Sequence, residues 1–259
     1  MFILTLKKSF FDAWDNLGII IMANLSLLFI TVPGLIPVFK LMERHRAAGW
    51  FSLASVLVAA VIALGTVSSL MSELADYRRV SWRDIPAAAG RTWLASLGFV
   101  FTAGGYIMIN SLGISYYSMF NNLFGVAAKA LLIWISFGIY LASLWFFAVR
   151  NRLSGGFFKS LKKCVLLMID NTGFSLFSGL VIIPLQLLLW PLTAFAAFGP
   201  AGIQLYYNTA LRLLMYKYDW LEEHPQAKKR DIPWDELLVD EKERVGTRTL
   251  KGMIFPWKE

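Results

Sequence analysis

Four residues of this 259-residue chain set a polar side chain against an apolar neighbourhood: Asn110, Lys129, Asp170 and Arg212. An aspartate beside a long apolar run is the type of group that carries protons. A lysine or arginine in such a run is the type that binds anions. Each also has a plainer role. Lys129 can extend its amine to the outer headgroups, and Arg212 can do the same at the basic end of its segment. Asp170, followed by Asn171 and Thr172, reads as a helix cap at the interface. Asn110, together with Asn24, Gln186, Gln204 and Asn208, suits hydrogen bonding between helices.

Catalytic constellations are missing from the pattern. The two histidines, His45 and His224, fall on opposite sides of the expected membrane. The chain has no HExxH, nucleophile elbow, Walker loop or glycine-rich nucleotide fingerprint, and Gly104-Gly105 sits inside an apolar run. Cys164 is the single cysteine, which excludes an internal disulfide and a cysteine metal cluster. The expectation is a non-enzymatic protein without cofactor or metal.

The elements that must position these groups belong to a membrane protein. Hydrophobic residues make up 57% and charged residues 16% of the chain, against about 25% charged in soluble domains. The net charge of +8 is uneven: residues from Lys217 onward sum to −1 and the remainder to +9. Cations flanking apolar runs point to anionic lipid as partner and not to nucleic acid.

One unit organises the chain. Gly155 to Asp170 mixes Lys159, Lys162 and Lys163 with aromatic and aliphatic residues, as in a helix lying on a membrane surface. Gly173 to Phe198 then runs 26 residues without a charge, enough to cross a hydrocarbon core of roughly 30 Å. The same order of surface helix, polar cap and span recurs from residue 3 and from about residue 81. Ser81-Trp82-Arg83-Asp84 has the form of a capping box.

The expected fold is all-α, a polytopic membrane helix bundle of about six spans in three hairpin units, each preceded by an interfacial amphipathic helix. The spans are read near residues 17–39, 50–74, 92–112, 123–149, 173–198 and 201–218. Pro33-Gly34 and Pro37 predict a kink or early exit from the first, and Pro184 and Pro191 predict kinks in the fifth. The Lys40–Arg46 link is basic on the side expected to be outside. Placing it inside would make the first run a re-entrant hairpin. The Lys/Arg distribution, 11 against 3, otherwise orients both termini to the cytoplasm.

Residues 1–223 thus form the bundle and 224–259 a cytoplasmic tail. Trp234 and Trp257 give the tail aromatic anchors for docking, either on the protein's own body or on a partner. In the first case Asp235, Glu236, Asp240 and Glu241 are expected to face Arg78, Arg79 and Arg83.

Three stretches carry a resemblance: MANLSLLFITVPGLIPVF, VSWRDIPAAAGRTW and GGFFKSLKKCVLLMIDN. Together they resemble the YesL-like family of small multi-pass bacterial membrane proteins, over roughly residues 10–220 and excluding the tail. The resemblance implies a bacterial inner membrane location and an accessory role in carbohydrate uptake or sensing, with a transporter or other membrane protein as partner. It supplies no catalytic residue. The functional expectation is a membrane accessory or scaffold protein. The alternative is a small-solute transporter or channel with Lys129, Asn110 and the proline-broken fifth span around a mid-membrane cavity.

Overall fold

The computed structural model describes residues 1–227, 231–246 and 248. All regular structure among them is helical. In chain order the helices are α1 (Phe2–Asp15), α2 (Leu17–Arg44), α3 (Arg46–Ala75), α4 (Ile85–Tyr117), α5 (Leu123–Ser143), α6 (Phe146–Arg152), α7 (Phe157–Asp170), α8 (Thr172–Phe177), α9 (Ile183–Leu192), α10 (Gly199–Glu223), α11 (Trp234–Leu237) and α12 (Val239–Val245). Five stretches among the described residues are long and apolar enough to cross a membrane: Leu17–Arg44, Arg46–Ala75, Trp82–Tyr117, Leu123–Arg152 and Thr172–Leu192.

Several expected boundaries move. The α2 helix passes through Pro33 and Pro37 and continues to Arg44, so neither the early exit nor the re-entrant turn occurs. The polar link at 40–46 is itself helical except at His45, where the chain is extended. The surface helix expected over 81–91 is instead one 3₁₀ turn, Trp82–Asp84, feeding straight into α4. The capping box does form there, with the Ser81 N–H donating to Asp84 Oδ2 at 2.8 Å. Pro86 in the first turn of α4 costs no hydrogen bond, because that N–H has no helical partner.

The two 14-residue amphipathic helices, α1 and α7, form an internal repeat offset by 155 residues. Leu6-Lys7-Lys8 and Asp15-Asn16 in the first copy stand where Leu161-Lys162-Lys163 and Asp170-Asn171 stand in the second. The local bonds repeat as well. Thr5 donates to Met1 O and Ser160 to Gly156 O. Asn16 donates to Asp12 O at 2.9 Å, and Asn171 to Leu167 O at 3.1 Å. Neither asparagine caps the helix that follows it. The capping expected around Asp170 and at Asn16 is therefore reversed: the amides close the end of the preceding helix, where carbonyls lack partners.

Helix α10 is the axis of the bundle. It packs against α1, α2, α3, α6, α9 and α11. Its buried residues run almost without a break from Gln204 to Leu214. Enclosure by other helices removes the need for apolar residues facing lipid and explains why α10, with Gln204, Asn208 and Arg212, lacks the hydropathy of its neighbours. Among its buried polar residues Asn208 and Tyr206 are matched by protein, while Gln204 Oε1, the Tyr207 hydroxyl and Thr209 Oγ1 have no hydrogen-bond partner among the described residues. Asn208 donates to Ser68 O and Oγ and accepts from Asn151, and Tyr206 shares a bond with Ser178 at 2.9 Å.

The start of α10 is pinned by α2. Asn24 donates to Ala196 O at 3.1 Å and Phe198 O at 2.6 Å, and its Oδ1 accepts from the Ala201 N–H at 3.0 Å. The turn it holds is strained, since Ala194, Phe195 and Phe198 all have positive φ. On the neighbouring strand of chain, Ser178–Ile182 forms a π turn just before Pro184. A π turn pairs an N–H with the carbonyl five residues back, and residue 184 has no N–H. The Gly179 carbonyl so left over accepts from the Tyr140 hydroxyl at 3.2 Å.

The aromatic core of the bundle, with Trp145, Phe146, Phe147, Phe174, Tyr206 and Tyr207, lies toward the end where α3, α5, α6 and α10 terminate. Small residues in the second half of α3 allow this: a Cβ at Gly65 would collide with Ser96 and Phe147. The other halves of α4 and α5 keep most side chains exposed, Phe101, Ile109 and Trp134 among them.

Asn24→Leu keeps the apolar surface of α2 but removes three hydrogen bonds from the α9–α10 turn. It is expected to destabilise the folded protein by about 1–3 kcal/mol, read as a lower unfolding temperature in detergent, while Ser26→Ala on the exposed side changes it little.

Candidate functional site at the charged end

Where the helices converge, three cations and three carboxylates are gathered. Lys8 and Asp12 come from α1, Arg152 from α6, Arg212 from α10, Asp76 from the end of α3, and Glu241 from α12. Lys8 is fully buried. Its Nζ lies 2.8 Å from Asp12, 3.7 Å from Glu241 and 3.5 Å above the Tyr77 ring. Arg212 holds Asp76 at 2.5 Å and Glu241 at 2.8 Å, and Arg152 holds Asp76 at 2.9 Å. Glu241 also accepts from the hydroxyls of Tyr77 at 2.6 Å and Tyr216 at 3.1 Å.

Tyr77 occupies an unusual backbone position. The Tyr77 N–H bonds to Leu74 O and the Arg78 N–H to Glu73 O. This is the paired hydrogen-bond pattern that ends many helices, with glycine normally at the residue of positive φ. Here that residue is Tyr77, at φ 59°. The side chain compensates the strain: Lys8, Arg212 and Arg244 all face the ring, and the hydroxyl reaches Glu241.

Burial sets the titration of the cluster. It pushes the Lys8 amine down and the Asp12 carboxyl up, with their mutual attraction opposing both shifts. For Glu241, burial is outweighed by the Tyr77 hydroxyl and the charges of Lys8 and Arg212, and the carboxyl stays below the ordinary glutamate range. For Asp76, burial is likewise outweighed by Arg152 and Arg212. Tyr77 is raised by burial and by Glu241, which keeps it a hydroxyl donor.

The tail reaches this cluster by a different register from the expected one. Leu238, Glu241 and Val245, spaced three and four residues apart, share the buried face of the tail. Glu241 alone of the four acids turns inward, and its partners are Lys8 and Arg212 instead of Arg78, Arg79 and Arg83. Those three arginines are exposed, where an ion pair adds little. Asp235 is exposed and pairs with Lys242 at 2.6 Å. Trp234 is half-buried against the aromatic core. Trp257 lies outside the described residues. Lys7 donates to Gly246 O at 2.9 Å, and Arg248 pairs with Asp15 at 2.7 Å.

The other candidates separate. Arg212 turns into the cluster and does not extend to headgroups. Asp170 accepts from the nearly buried Lys217 at 2.5 Å and from Tyr218 at 2.8 Å, so it is a paired anion and not a cap. Lys129 is half-buried on α5 with no ion pair among the described residues. Asn110 lies on α4, and its buried Oδ1 has no hydrogen-bond partner among the described residues. Sequence reasoning missed Lys8, Asp12, Asp76, Tyr77 and Arg152. One signal was available: Thr5, Lys8, Ser9 and Asp12 form a polar stripe on α1 at the spacing of an inward helical face.

Beside the cluster is a polar cavity of about 410 Å³, lined by Ser69, Ser72, Thr92, Asn151, the acids Glu73 and Asp76, and Arg78, Arg91, Arg150 and Arg152.

The fold and the site define an all-helical protein of membrane type, with five apolar membrane-length helices packed with one buried polar helix and closed at one end by a balanced ionic cluster. Comparison with protein-family models, with curated proteins and with solved structures returns no match to this chain.

Glu241→Gln leaves Lys8 and Arg212 short of one negative charge inside the protein, where breaking a buried pair costs about 3–5 kcal/mol. Faster hydrogen–deuterium exchange across residues 231–246 is the expected readout. A carboxyl with a depressed value stabilises above its unfolded value and loses that contribution as pH falls toward its folded one. Exchange in the wild-type tail is therefore expected to accelerate below about pH 4.3, and the Glu241→Gln protein should lose that part of the response.

Proposed function

We propose that this chain is a non-enzymatic integral membrane protein acting as an accessory or scaffold component. Its six spans, α10 included, pair as three hairpins in a bacterial inner membrane, with both termini cytoplasmic. The resemblance to YesL-like proteins supports a link to carbohydrate uptake or sensing, with a transporter or another membrane protein as partner. The observation that carries the reading is the way the bundle is closed. Trp145, Phe174, Tyr206 and Tyr207 fill the space around α10, and the ionic cluster and tail seal the end beyond them. Such a body suits holding a partner better than passing a solute.

A small-solute transporter is the alternative. The unpaired Oδ1 of Asn110 and the π turn before Pro184 favour it, because irregular backbone and unmatched polar groups mark solute pathways. It requires an opening past the aromatic core.

Two measurements test the reading. Proteoliposomes of the purified chain should show no counterflow of sugars or small anions above protein-free vesicles; saturable counterflow would establish the transporter instead. Cysteine labelling reports the topology, and native Cys164, being buried, stays silent. Cysteines replacing Asp15, Arg83 and Lys162 are expected to react from the cytoplasmic side, and those replacing His45 and Asn121 from the other. Reaction of Lys162→Cys from outside would defeat the three-hairpin arrangement.

A further inference from the structure

The polar cavity between the ends of α3, α4, α6 and α10 has a composition that the ionic cluster does not explain. Its two acids are already engaged: Asp76 by Arg152 and Arg212, and Glu73 by Arg91 at 2.7 Å. Four arginines line it against those two carboxylates, which leaves the wall with a surplus of two positive charges. Arg78 has no ion pair among the described residues. Arg150 spends one N–H on the Gly155 carbonyl.

The second observation is a single atom. The Arg152 side chain is only 10% exposed, and its terminal nitrogen serves Asp76 and the Ser72 carbonyl. Its Nε–H, however, is buried without a hydrogen-bond partner among the described residues. Leaving a charged group's donor unmatched in the interior is costly, and native proteins rarely do so. The guanidinium lines a space large enough for a ligand of several heavy atoms.

We propose that this cavity binds a phosphate-bearing anion. Guanidinium forks match the oxygens of a phosphate in pairs, and donors arriving from several elements suit an acceptor with oxygens on every side better than a planar carboxylate. Arg78 follows α3, Arg91 lies on α4, and Arg150 and Arg152 end α6. Ser69, Ser72, Thr92 and Asn151 add neutral polar groups among them. The phosphate neutralises the surplus charge on the cavity wall. It is carried either by an anionic lipid headgroup or by a soluble phosphate compound, and the same donors serve both. The inference rests on the cavity and holds for a scaffold or a transporter alike.

The test uses the full chain in phosphatidylcholine nanodiscs and reads the unfolding temperature against added inorganic phosphate. It is repeated without phosphate in nanodiscs carrying phosphatidylglycerol. Stabilisation by inorganic phosphate identifies a soluble source, and stabilisation by phosphatidylglycerol alone identifies the headgroup. In either case Arg78→Gln with Arg91→Gln should weaken the effect at least about tenfold, the loss expected for charge-assisted hydrogen bonds. Arg83→Gln, an exposed arginine outside the cavity, should leave it intact. Both arginines of the double variant are exposed, Arg91 by 56%. Arg78→Gln alone breaks no ion pair described above and decides the matter if the double variant lowers the ligand-free unfolding temperature. The proposal is overturned if neither probe stabilises the protein, or if Arg83→Gln weakens the effect as much as the cavity variants do.

Discussion

Charges taken out of water must be neutralised by other charges close by, and at one end of this protein that requirement decides where many elements sit. Lys8, Arg152 and Arg212 face Asp12, Asp76 and Glu241, and the six come from five separate parts of the chain. None of these parts can shift alone without stranding a partner. The position of Tyr77 shows how strongly the arrangement is held. A glycine there would relax the backbone, yet the residue present is one whose ring faces three cations and whose hydroxyl reaches a carboxylate. The local strain is tolerated because the cluster supports it.

The same end of the molecule contains the polar interior of α10. Its amides, hydroxyls and phenols are enclosed by neighbouring helices, where Asn208 and Tyr206 find hydrogen-bond partners. Packing is thus uneven along the bundle. Aromatic and polar side chains interlock near the ionic cluster, whereas the far halves of α4 and α5 present mainly apolar side chains outward.

Much of the helical order was legible. Long uncharged runs and the positive flanks mark the five apolar helices, and the amphipathic patterns of residues 3–15 and 156–169 coincide with α1 and α7 within a residue or so. The capping box at Ser81 was legible because its chemistry is local. What stayed hidden was long-range. Arg212 near a basic end reads as a residue reaching for headgroups, and nothing adjacent in sequence reveals Glu241, 29 residues on, as its partner. Asp170 beside two good capping residues reads as a cap, yet Lys217 claims it from 47 residues away. The segment at 81–91 carries the right aromatics and arginines for a surface helix, but with Pro86 in its first turn α4 already begins at Ile85 and takes up the rest of that segment.

Glu241 follows all five of the apolar helices among the described residues, and that placement has a consequence for biosynthesis. A ribosome delivers α1, α3, α6 and α10 to the membrane before α12 exists. Throughout that interval Lys8, Arg152 and Arg212 face only two carboxylates, Asp12 and Asp76, and the third carboxylate arrives only with α12. Charge balance at this end of the bundle is therefore reached only when α12 docks, after the helices it closes have been made.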